Sequence, residues 1–249
     1  MDPRFNIIDE RLKEVKRIIG ITGGKGGVGK SSVASLMALL FKDLGKEVGL
    51  LDLDFSSPAL HIILGFEDVF PKEEKGIIPP IVKGIKFMSI VYFVGDNPLP
   101  LRGEDFSNVL IELMAITRWE KLDYLFIDMP PGIGDLMLDV IRVIKNIEFV
   151  MVGNQSKLSF ETLRKVLLVC EKLSKKVIGL IENINLPKVS YEENKLNLLK
   201  IPFLGRINFD KEYEECFGDP EKLLSTNFAK DLRKIINMSL LKNSSKLGI

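Results

Sequence analysis

The chain has 249 residues, 46% of them hydrophobic, which is enough to enclose a large core, and we expect one domain over residues 1–249. Its 35 basic and 34 acidic side chains give a formal charge of +1, so the overall charge gives no reason to expect a nucleic acid or an anionic membrane as partner. The first residues contain no apolar signal core and no later stretch has the length of a membrane span. The sequence therefore predicts a cytoplasmic protein without a stable membrane anchor.

Short apolar, β-branched runs alternate along the chain with amphipathic segments of helical length. Strands are predicted at residues 17–22, 47–53, 85–94, 124–127, 148–152, 177–181 and 203–207. Helices are predicted at residues 7–16, 32–44, 104–118, 134–145, 159–174 and 226–241. Residues 65–84 contain several prolines and a charged cluster, and we expect them to form a mobile excursion. This alternation is typical of an α/β fold with a doubly wound, mostly parallel sheet and helices on both faces.

The first predicted strand leads into a glycine-rich segment, residues 24–31, which reads GKGGVGKS. It matches the phosphate-binding loop of P-loop NTPases, G-x-x-x-x-G-K-[ST], with the required strand before it and helix after it. Glycines let the backbone N–H groups converge on a polyphosphate, and the helix N-terminus adds to the attraction for anions. The residues predicted to bind a nucleotide here are Gly24, Gly26, Gly27, Val28, Gly29, Lys30, Ser31 and Ser32.

Acidic residues stand at the ends of two later strands, in the sequences LLDLD and LFIDMPPG. Since ligands bind at the carboxyl ends of parallel strands, we expect Asp52, Asp54 and Asp128 to face the phosphates. A carboxylate at the end of a buried strand needs a cation, and the Mg²⁺ on a triphosphate supplies one; its predicted ligands are Ser31, Asp52 and Asp128, the last as the Walker B aspartate. For Asp52 and Asp54 the alternative is a cap on the following turn. Residues 132–135 (GIGD) are interpreted either as a switch that senses the γ-phosphate or as a glycine turn that caps a helix.

Together these motifs resemble the deviant-Walker ATPases of the Mrp/MinD class, and the Mrp branch most closely. The resemblance is carried by Lys25 inside the loop, by residues 51–59 (LDLDFSSPA) and by residues 128–135 (DMPPGIGD). It implies an ATPase that uses ATP/ADP and Mg²⁺ and forms a homodimer face to face around two nucleotides.

The resemblance also implies roles for individual residues. Lys25 is expected to reach the partner's ATP, Lys30 to hold the β- and γ-phosphates of its own nucleotide, and Asp54 to orient the attacking water. These three are the predicted catalytic residues.

A base pocket is the second implication of the resemblance for the site. Asn183 is expected to recognise adenine, and residues 201–210 (IPFLGRINFD) to line the pocket, with Pro202 and Asp210 as nucleotide contacts. Asn208 stands where the family has a proline, so the backbone contacts around it are left open.

One departure from the Mrp pattern shapes the functional prediction. Iron–sulfur carriers of that branch hold a cluster at the dimer interface through a CxxC, about where residues 186–190 (LPKVS) lie here, and this chain contains no CxxC. Cysteine-free members of the class resemble archaeal HypB-type ATPases, which assist nickel insertion into [NiFe]-hydrogenase together with a HypA-like metallochaperone. The preferred prediction is therefore metallocentre maturation, with nickel as the metal and a metallochaperone or a metalloenzyme precursor as the protein partner.

Two other functions remain open at this point: an iron–sulfur carrier of the Mrp type and a MinD/ParA-type positioning ATPase. A metal site formed by His61, Cys170 and Cys216 is a further possibility. We expect His61 and Cys170 to be packed side chains instead, because a lone histidine or cysteine in an apolar run is more often part of a core than a ligand.

Overall fold

The computed structural model describes residues 2–66, 69–94, 104–185 and 198–240. The strands are β1 (Val15–Thr22), β2 (Val48–Asp52), β3 (Lys72–Glu73), β4 (Ile77–Ile78), β5 (Ile81–Val82), β6 (Ile85–Ser89), β7 (Leu122–Asp128), β8 (Ile147–Gly153), β9 (Val177–Asn185) and β10 (Phe203–Asn208). The helices are α1 (Arg4–Leu12), α2 (Lys30–Asp43), α3 (Leu60–Leu64), α4 (Val91–Val94), α5 (Glu104–Ile116), α6 (Asp135–Val143), α7 (Lys157–Lys172), α8 (Pro220–Ser225) and α9 (Asn227–Ile235).

Eight of these strands form one sheet, in the order β10-β9-β8-β1-β7-β2-β6-β5, and every neighbouring pair is parallel except β5 and β6. The strand that precedes the glycine loop, β1, lies near the middle of the sheet between β7 and β8. Parallel strands bring their carboxyl ends to one edge, so the segments that follow β1, β2, β7 and β9 meet there.

The sheet is covered on both faces, which confirms the predicted doubly wound α/β fold. Helices α1, α5, α6 and α7 pack against one face, and α2, α3, α8 and α9 against the other. Successive side chains of β1 point to opposite faces of the sheet. Ile18 packs in the core under α1, α5, α6 and α7, whereas Ile19 and Ile21 pack in the core under α2, α3, α8 and α9. Helices near both ends of the described chain pack on the same sheet, and the single domain over residues 1–249 stays a prediction.

Several element boundaries differ from the predicted ones. The strand predicted at residues 85–94 ends at Ser89, whose hydroxyl accepts a hydrogen bond from the Val91 backbone N–H where α4 begins. Helix α1 begins at Arg4 and ends at Leu12, because β1 starts at Val15, opposite Leu122. The excursion at residues 65–84 includes the β3–β4 hairpin and the edge strand β5 in its described part.

The helix predicted at residues 226–241 begins as the capped α-helix α9 and continues as a π-helical turn. The Thr226 side chain accepts a hydrogen bond from the Ala229 N–H, which caps α9, and residues Ile236–Leu240 form a π-helical turn. Residue 241 lies outside the described residues. Within the described part of the chain, no helix is long and apolar enough to cross a lipid bilayer.

Candidate nucleotide-binding site

The glycine loop joins β1 to α2 at the carboxyl edge of the sheet. Gly27 and Gly29 have φ values of 72° and 83°, in the left-handed region that favours glycine. A Cβ atom built on Gly26 or Gly27 would meet nothing within 4 Å, so the crest of the loop is open. On Gly29 a Cβ would collide with the Asn183 side-chain amide. The glycines therefore leave one side of the loop bare for a ligand while the other side packs on β9.

Two further glycines let the start of the loop pack closely on neighbouring elements. A Cβ on Gly23 would lie 2.7 Å from the Val152 carbonyl oxygen of β8, and one on Gly24 would collide with Thr162 of α7. Such distances are too short for an alanine without a backbone shift. Gly24, predicted as a nucleotide contact, therefore also has a packing role that its sequence position did not reveal.

Two lysines supply positive charge beside the open loop. Lys30 is the first residue of α2 and is 5% exposed, and Lys25 is half-buried. In the described ranges neither lysine forms an ion pair with a carboxylate. A buried ammonium group without an ion-pair partner favours an anionic ligand, and α2 presents its N-terminus at the same point.

The acidic residues meet at the same edge because β2 and β7 are neighbours. Asp52 lies directly opposite Asp128 in the register of the two strands, and both side chains are buried. Asp52 accepts hydrogen bonds from the backbone N–H groups of Asp54 (3.1 Å) and Leu60 (3.4 Å). Burial and the facing Asp128 carboxylate raise the pKa of Asp52 well above its usual range.

Asp128 is fully buried, and neither of its carboxylate oxygens has a hydrogen-bond partner of acceptable geometry in the described residues. Burial raises the pKa of Asp128 to about 7, while the nearby Ser31 hydroxyl and Lys30 ammonium group lower it. Ser31 therefore faces this carboxylate without forming a well-aligned hydrogen bond to it. A buried, unsatisfied carboxylate beside a second one and a hydroxyl is a donor set that suits Mg²⁺. The residues present fit the predicted cation, with Ser31, Asp52 and Asp128 as the group that would hold it.

Asp54 occupies a different environment from the other two aspartates. It is half-buried and accepts a hydrogen bond from the Ser57 N–H at 3.2 Å, so the predicted turn cap is present. Burial raises the pKa of Asp54, and the Lys30 charge lowers it. A carboxylate near Lys30 that is not enclosed in the sheet can hold a water molecule, so the cap and the predicted catalytic role are compatible.

A cavity of about 370 Å³ adjoins the loop on the side of β9 and β10. Its lining includes Gly27, Gly29, Ser32, Asn183 and Asp210, so the structure brings these five predicted residues together. Pro202 does not line it; its carbonyl oxygen accepts a hydrogen bond from the Leu180 N–H of β9 at 2.9 Å, just before β10 begins.

The side chains of Asp210 and Asn208 are engaged with α9. The Asp210 carboxylate accepts hydrogen bonds from the backbone N–H groups of Asn227 (2.9 Å) and Phe228 (3.2 Å). Asn208 donates through its side chain to Asp231 at 2.8 Å and accepts from Asn185 at 2.8 Å. Asp210 is therefore available to a nucleotide mainly through its backbone, and the base-pocket roles of Pro202 and Asp210 stay predictions.

Sequence reasoning missed two aromatic residues of this cavity, Tyr213 and Phe228, whereas Phe209 belongs to the segment 201–210 that was expected to line the pocket. Phe209 is 59% exposed, and Tyr213 contributes a buried hydroxyl near Ser32. An exposed aromatic ring beside such a cavity can stack on a planar base. Tyr213 and Phe228 lie outside the motifs of the sequence, so no local signal marked them as part of the site.

The segment that follows β7 lies beside the loop. Gly132 has a φ of 76°, and a Cβ on it would lie 4.0 Å from the Gly24 carbonyl oxygen. Asp135 is the first residue of α6, and its N-cap, Gly134, makes no side-chain hydrogen bond. Asp135 therefore lies inside the first turn and does not cap the helix, and the switch role of residues 132–135 stays a prediction.

No separate transition-metal site is found in the described residues. They contain no group of three or more His, Cys, Asp or Glu side chains able to hold a metal ion. Cys170 is fully buried, and burial raises the pKa of its thiol to about 11. Cys216 is half-buried in a 3₁₀ turn, residues Glu214–Cys216.

A family model described as "NUBPL iron-transfer P-loop NTPase" matches residues 14–239. The chain belongs to this family. It is 33% identical over 96% of its length to the iron-sulfur cluster carrier protein of Methanocaldococcus jannaschii, 89% of which is covered. Several other curated relatives with the same description are matched over only about 55% of their own length. The family confirms the predicted Mrp/MinD-type class, although the HypB-type assignment has no support from it.

Solved structures agree with the family in fold. A nucleotide-binding protein from Archaeoglobus fulgidus in complex with ADP superposes with a TM-score of 0.71 at 30% identity, covering 93% of this chain and 92% of that one. The septum site-determining protein MinD from Pyrococcus horikoshii, complexed with Mg-ADP, has a TM-score of 0.68 at 21% identity over 88% and 93% of the two chains. The family makes this chain a P-loop NTPase. The ligands of these two neighbours, ADP and Mg-ADP, are of the kind predicted for this chain, ATP or ADP with Mg²⁺.

Proposed function

We propose that this protein is a homodimeric ATPase that acts in iron–sulfur cluster assembly together with a protein partner. The observation that carries the proposal is the family match over residues 14–239, combined with an intact phosphate loop and carboxylate pair. The relatives are described as iron-sulfur cluster carriers, which favours the function that the sequence left as an alternative. Nickel delivery to [NiFe]-hydrogenase, preferred from the sequence, has no support from the comparisons.

The missing cysteine pair decides how the chain would take part in such a process. Cys170 is enclosed in the core, Cys216 lies 46 positions further along, and the sequence contains no CxxC. Residues 186–190, where the family's cysteine pair was expected, lie outside the described residues. We infer that the ligands of the cluster, which is the cargo, come mainly from the partner, and that this chain contributes an ATP-dependent change of conformation.

A homodimer would explain two features near the loop: the positive charge of Lys25 and the exposed apolar side chains on neighbouring segments. Lys25 has no ion pair in the part of the chain that the structure describes, so its ammonium group is available to a second nucleotide. Ile133 and Leu158, on the segments beside Gly24, are 40% and 64% exposed. Covering these side chains and placing Lys25 on the partner's phosphates would stabilise a closed, nucleotide-bound dimer.

Within each subunit the residues divide the work of phosphoryl transfer. The loop N–H groups and Lys30 would hold the phosphates, and Asp54 would orient the attacking water near Lys30. Ser31, Asp52 and Asp128 would hold Mg²⁺, which would supply positive charge to neutralise the phosphates. Hydrolysis would then remove the negative charge of the γ-phosphate, which attracts Lys25 of the other subunit, and this would allow the dimer to open.

The proposal is tested with a cluster-transfer assay under anaerobic conditions. A cluster-loaded scaffold protein and an apo-protein that needs a [4Fe–4S] cluster are incubated with the chain, with and without ATP, and activation of the acceptor is followed. We expect wild type to accelerate transfer only with ATP, and the Lys30→Ala variant, which lacks the phosphate-binding ammonium group, to have no effect. Equal rates for wild type, Lys30→Ala and no added protein would contradict the proposal, while ATP hydrolysis measured in the same samples tests the ATPase separately.

A parallel assay addresses the functions that the sequence left open. Replacing the scaffold by Ni²⁺ and an apo-hydrogenase precursor tests the nickel hypothesis, and ATP-dependent co-sedimentation with liposomes or DNA tests a MinD/ParA-type positioning role. We expect no ATP-dependent response in these assays, because the overall charge is only +1 and the described residues contain no group of three or more His, Cys, Asp or Glu side chains able to hold a transition metal.

A further inference from the structure

The side chain of Asn183 holds the phosphate loop directly. It lies on β9, is 3% exposed, and its Nδ2 donates a hydrogen bond to the Val28 backbone carbonyl at 3.0 Å. The donor must be the amide nitrogen, because a backbone carbonyl can only accept. In the described residues this is the one side-chain hydrogen bond of Asn183, so the second amide hydrogen and Oδ1 remain available.

The geometry of the peptide bond gives this contact a consequence for the ligand. In a planar trans peptide the C=O and the N–H point in opposite directions. Because Val28 C=O is held toward β9, the N–H of Gly29, the next residue, is directed away from β9. Gly29 has a φ of 83°, and a Cβ on it would collide with the Asn183 amide, so the contact is possible only with glycine at this position.

The position of Asn183 is itself fixed by its neighbours on β9. Glu182 is fully buried and accepts hydrogen bonds from Gln155 Nε2 (3.1 Å) and Arg206 Nε (3.3 Å). These polar contacts to β10 and to the segment after β8 hold β9 next to Asn183 without any bound nucleotide.

We propose that Asn183 is a positioning residue of the phosphate loop as well as a contact of the base. It orients the Val28–Gly29 peptide so that the Gly29 N–H faces the phosphates before a nucleotide arrives. Its second amide hydrogen and Oδ1 are then left to recognise adenine. One side chain thus links the base cavity to the phosphate site. This inference rests on the proposed nucleotide binding and adds a role that a base-recognising residue would not have.

Inorganic tripolyphosphate separates the two roles, because it carries the phosphates and no base. Binding of tripolyphosphate and of ADP, each with Mg²⁺, is measured by calorimetry for wild type, Asn183→Ala and Asn183→Asp. The matched control is Asn185→Ala, which removes an amide two residues further along β9 that does not contact the loop. Lys30→Ala is the negative control for phosphate binding. Melting curves establish that each variant is folded.

We expect Asn183→Ala to weaken tripolyphosphate binding by about tenfold, since the Val28–Gly29 peptide loses its orientation, and to weaken ADP binding at least as much. Asn183→Asp should be weaker still, because it places a carboxylate oxygen against the Val28 carbonyl. Asn185→Ala should bind tripolyphosphate within about twofold of wild type. Loss of ADP affinity with unchanged tripolyphosphate affinity in Asn183→Ala would overturn the proposal. Failure of wild type to bind either ligand would overturn the nucleotide site itself, an outcome distinct from the loss of ADP affinity alone.

Discussion

Replacing Asp128 by asparagine should stabilise the nucleotide-free protein at neutral and alkaline pH and remove its response to Mg²⁺. The wild-type carboxylate is fully buried, faces Asp52 across two paired strands, and has no hydrogen-bond partner of acceptable geometry in the described residues. An asparagine side chain has nearly the same shape and no charge. The substitution therefore removes the cost of a buried negative charge without opening a cavity.

The size and sign of the effect follow from the pKa of this carboxyl group. Burial raises this pKa from 3.8 to about 7. Between these two pH values the folded protein therefore holds a proton on Asp128 that the unfolded chain has lost. Folded stability therefore falls as the pH rises through this window, and the full cost above pH 7 is about 4 kcal/mol, shared with the facing Asp52. Between pH 5 and pH 8 the expected loss of stability is about 2 to 3 kcal/mol.

Urea unfolding at several pH values measures this loss. The single tryptophan, Trp119, is fully buried and reports unfolding by fluorescence. We expect the free energy of unfolding of wild type to fall between pH 5 and pH 8 and that of Asp128→Asn to change much less. With ADP present, adding Mg²⁺ should stabilise wild type further and have little effect on the variant.

A matched control is available on the same strand. Asp123 lies near the other end of β7, where the Lys16 ammonium group lowers its pKa, so its contribution to stability is already complete above pH 5. Asp123→Asn should shift stability without changing its slope between pH 5 and pH 8. If Asp128→Asn keeps the wild-type slope, the carboxylate is not buried and unsatisfied as described, and the argument for the cation site fails with it.

Three further substitutions test the predicted site. Asp54→Ala should leave ADP affinity within about threefold, since Asp54 lies outside the phosphate loop, and should reduce steady-state ATP hydrolysis by about 100-fold; normal turnover would remove Asp54 from the chemistry. Lys25→Ala should bind ADP normally but stay monomeric with ATP in light scattering, where we expect wild type to dimerise; an ATP-dependent dimer of the variant would contradict the role in trans. Gly29→Ala combines a strained positive φ with a collision against Asn183, so nucleotide affinity in calorimetry should fall by at least about tenfold, and an unchanged affinity would show that the loop can relax there.

The phosphate loop and the fold class could be predicted because their signals are local. Glycines at residues 24, 26, 27 and 29 are required by backbone conformation and by the approach of a polyphosphate, whatever the rest of the fold. Continuous apolar strands between amphipathic segments indicate a parallel sheet covered on both faces, and the structure has one. Boundaries were less accurate where tertiary contacts decide them, as at Ser89, after which the chain turns into a helix.

The aspartates show where local signals end. The sequence placed Asp52 and Asp128 at strand ends, but their juxtaposition depends on β2 and β7 being neighbours, although 69 residues separate the two strands. That strand order also creates the buried, unsatisfied charge on which the cation site depends. A pattern read along one strand carries no information about which strand will lie beside it.

The sequence by itself determined that this chain binds a nucleotide, since the loop, its flanking strand and helix, and the acidic strand ends each follow from their own residues. Only the tertiary structure showed that Asn183 holds the Val28 carbonyl and that the Asp210 carboxylate is used to cap α9. Both contacts join groups brought together by the order of β8, β9 and β10 and by the packing of α9. Hydrogen bonds between distant residues depend on how the layers assemble, and that assembly is set by the whole core rather than by any one segment.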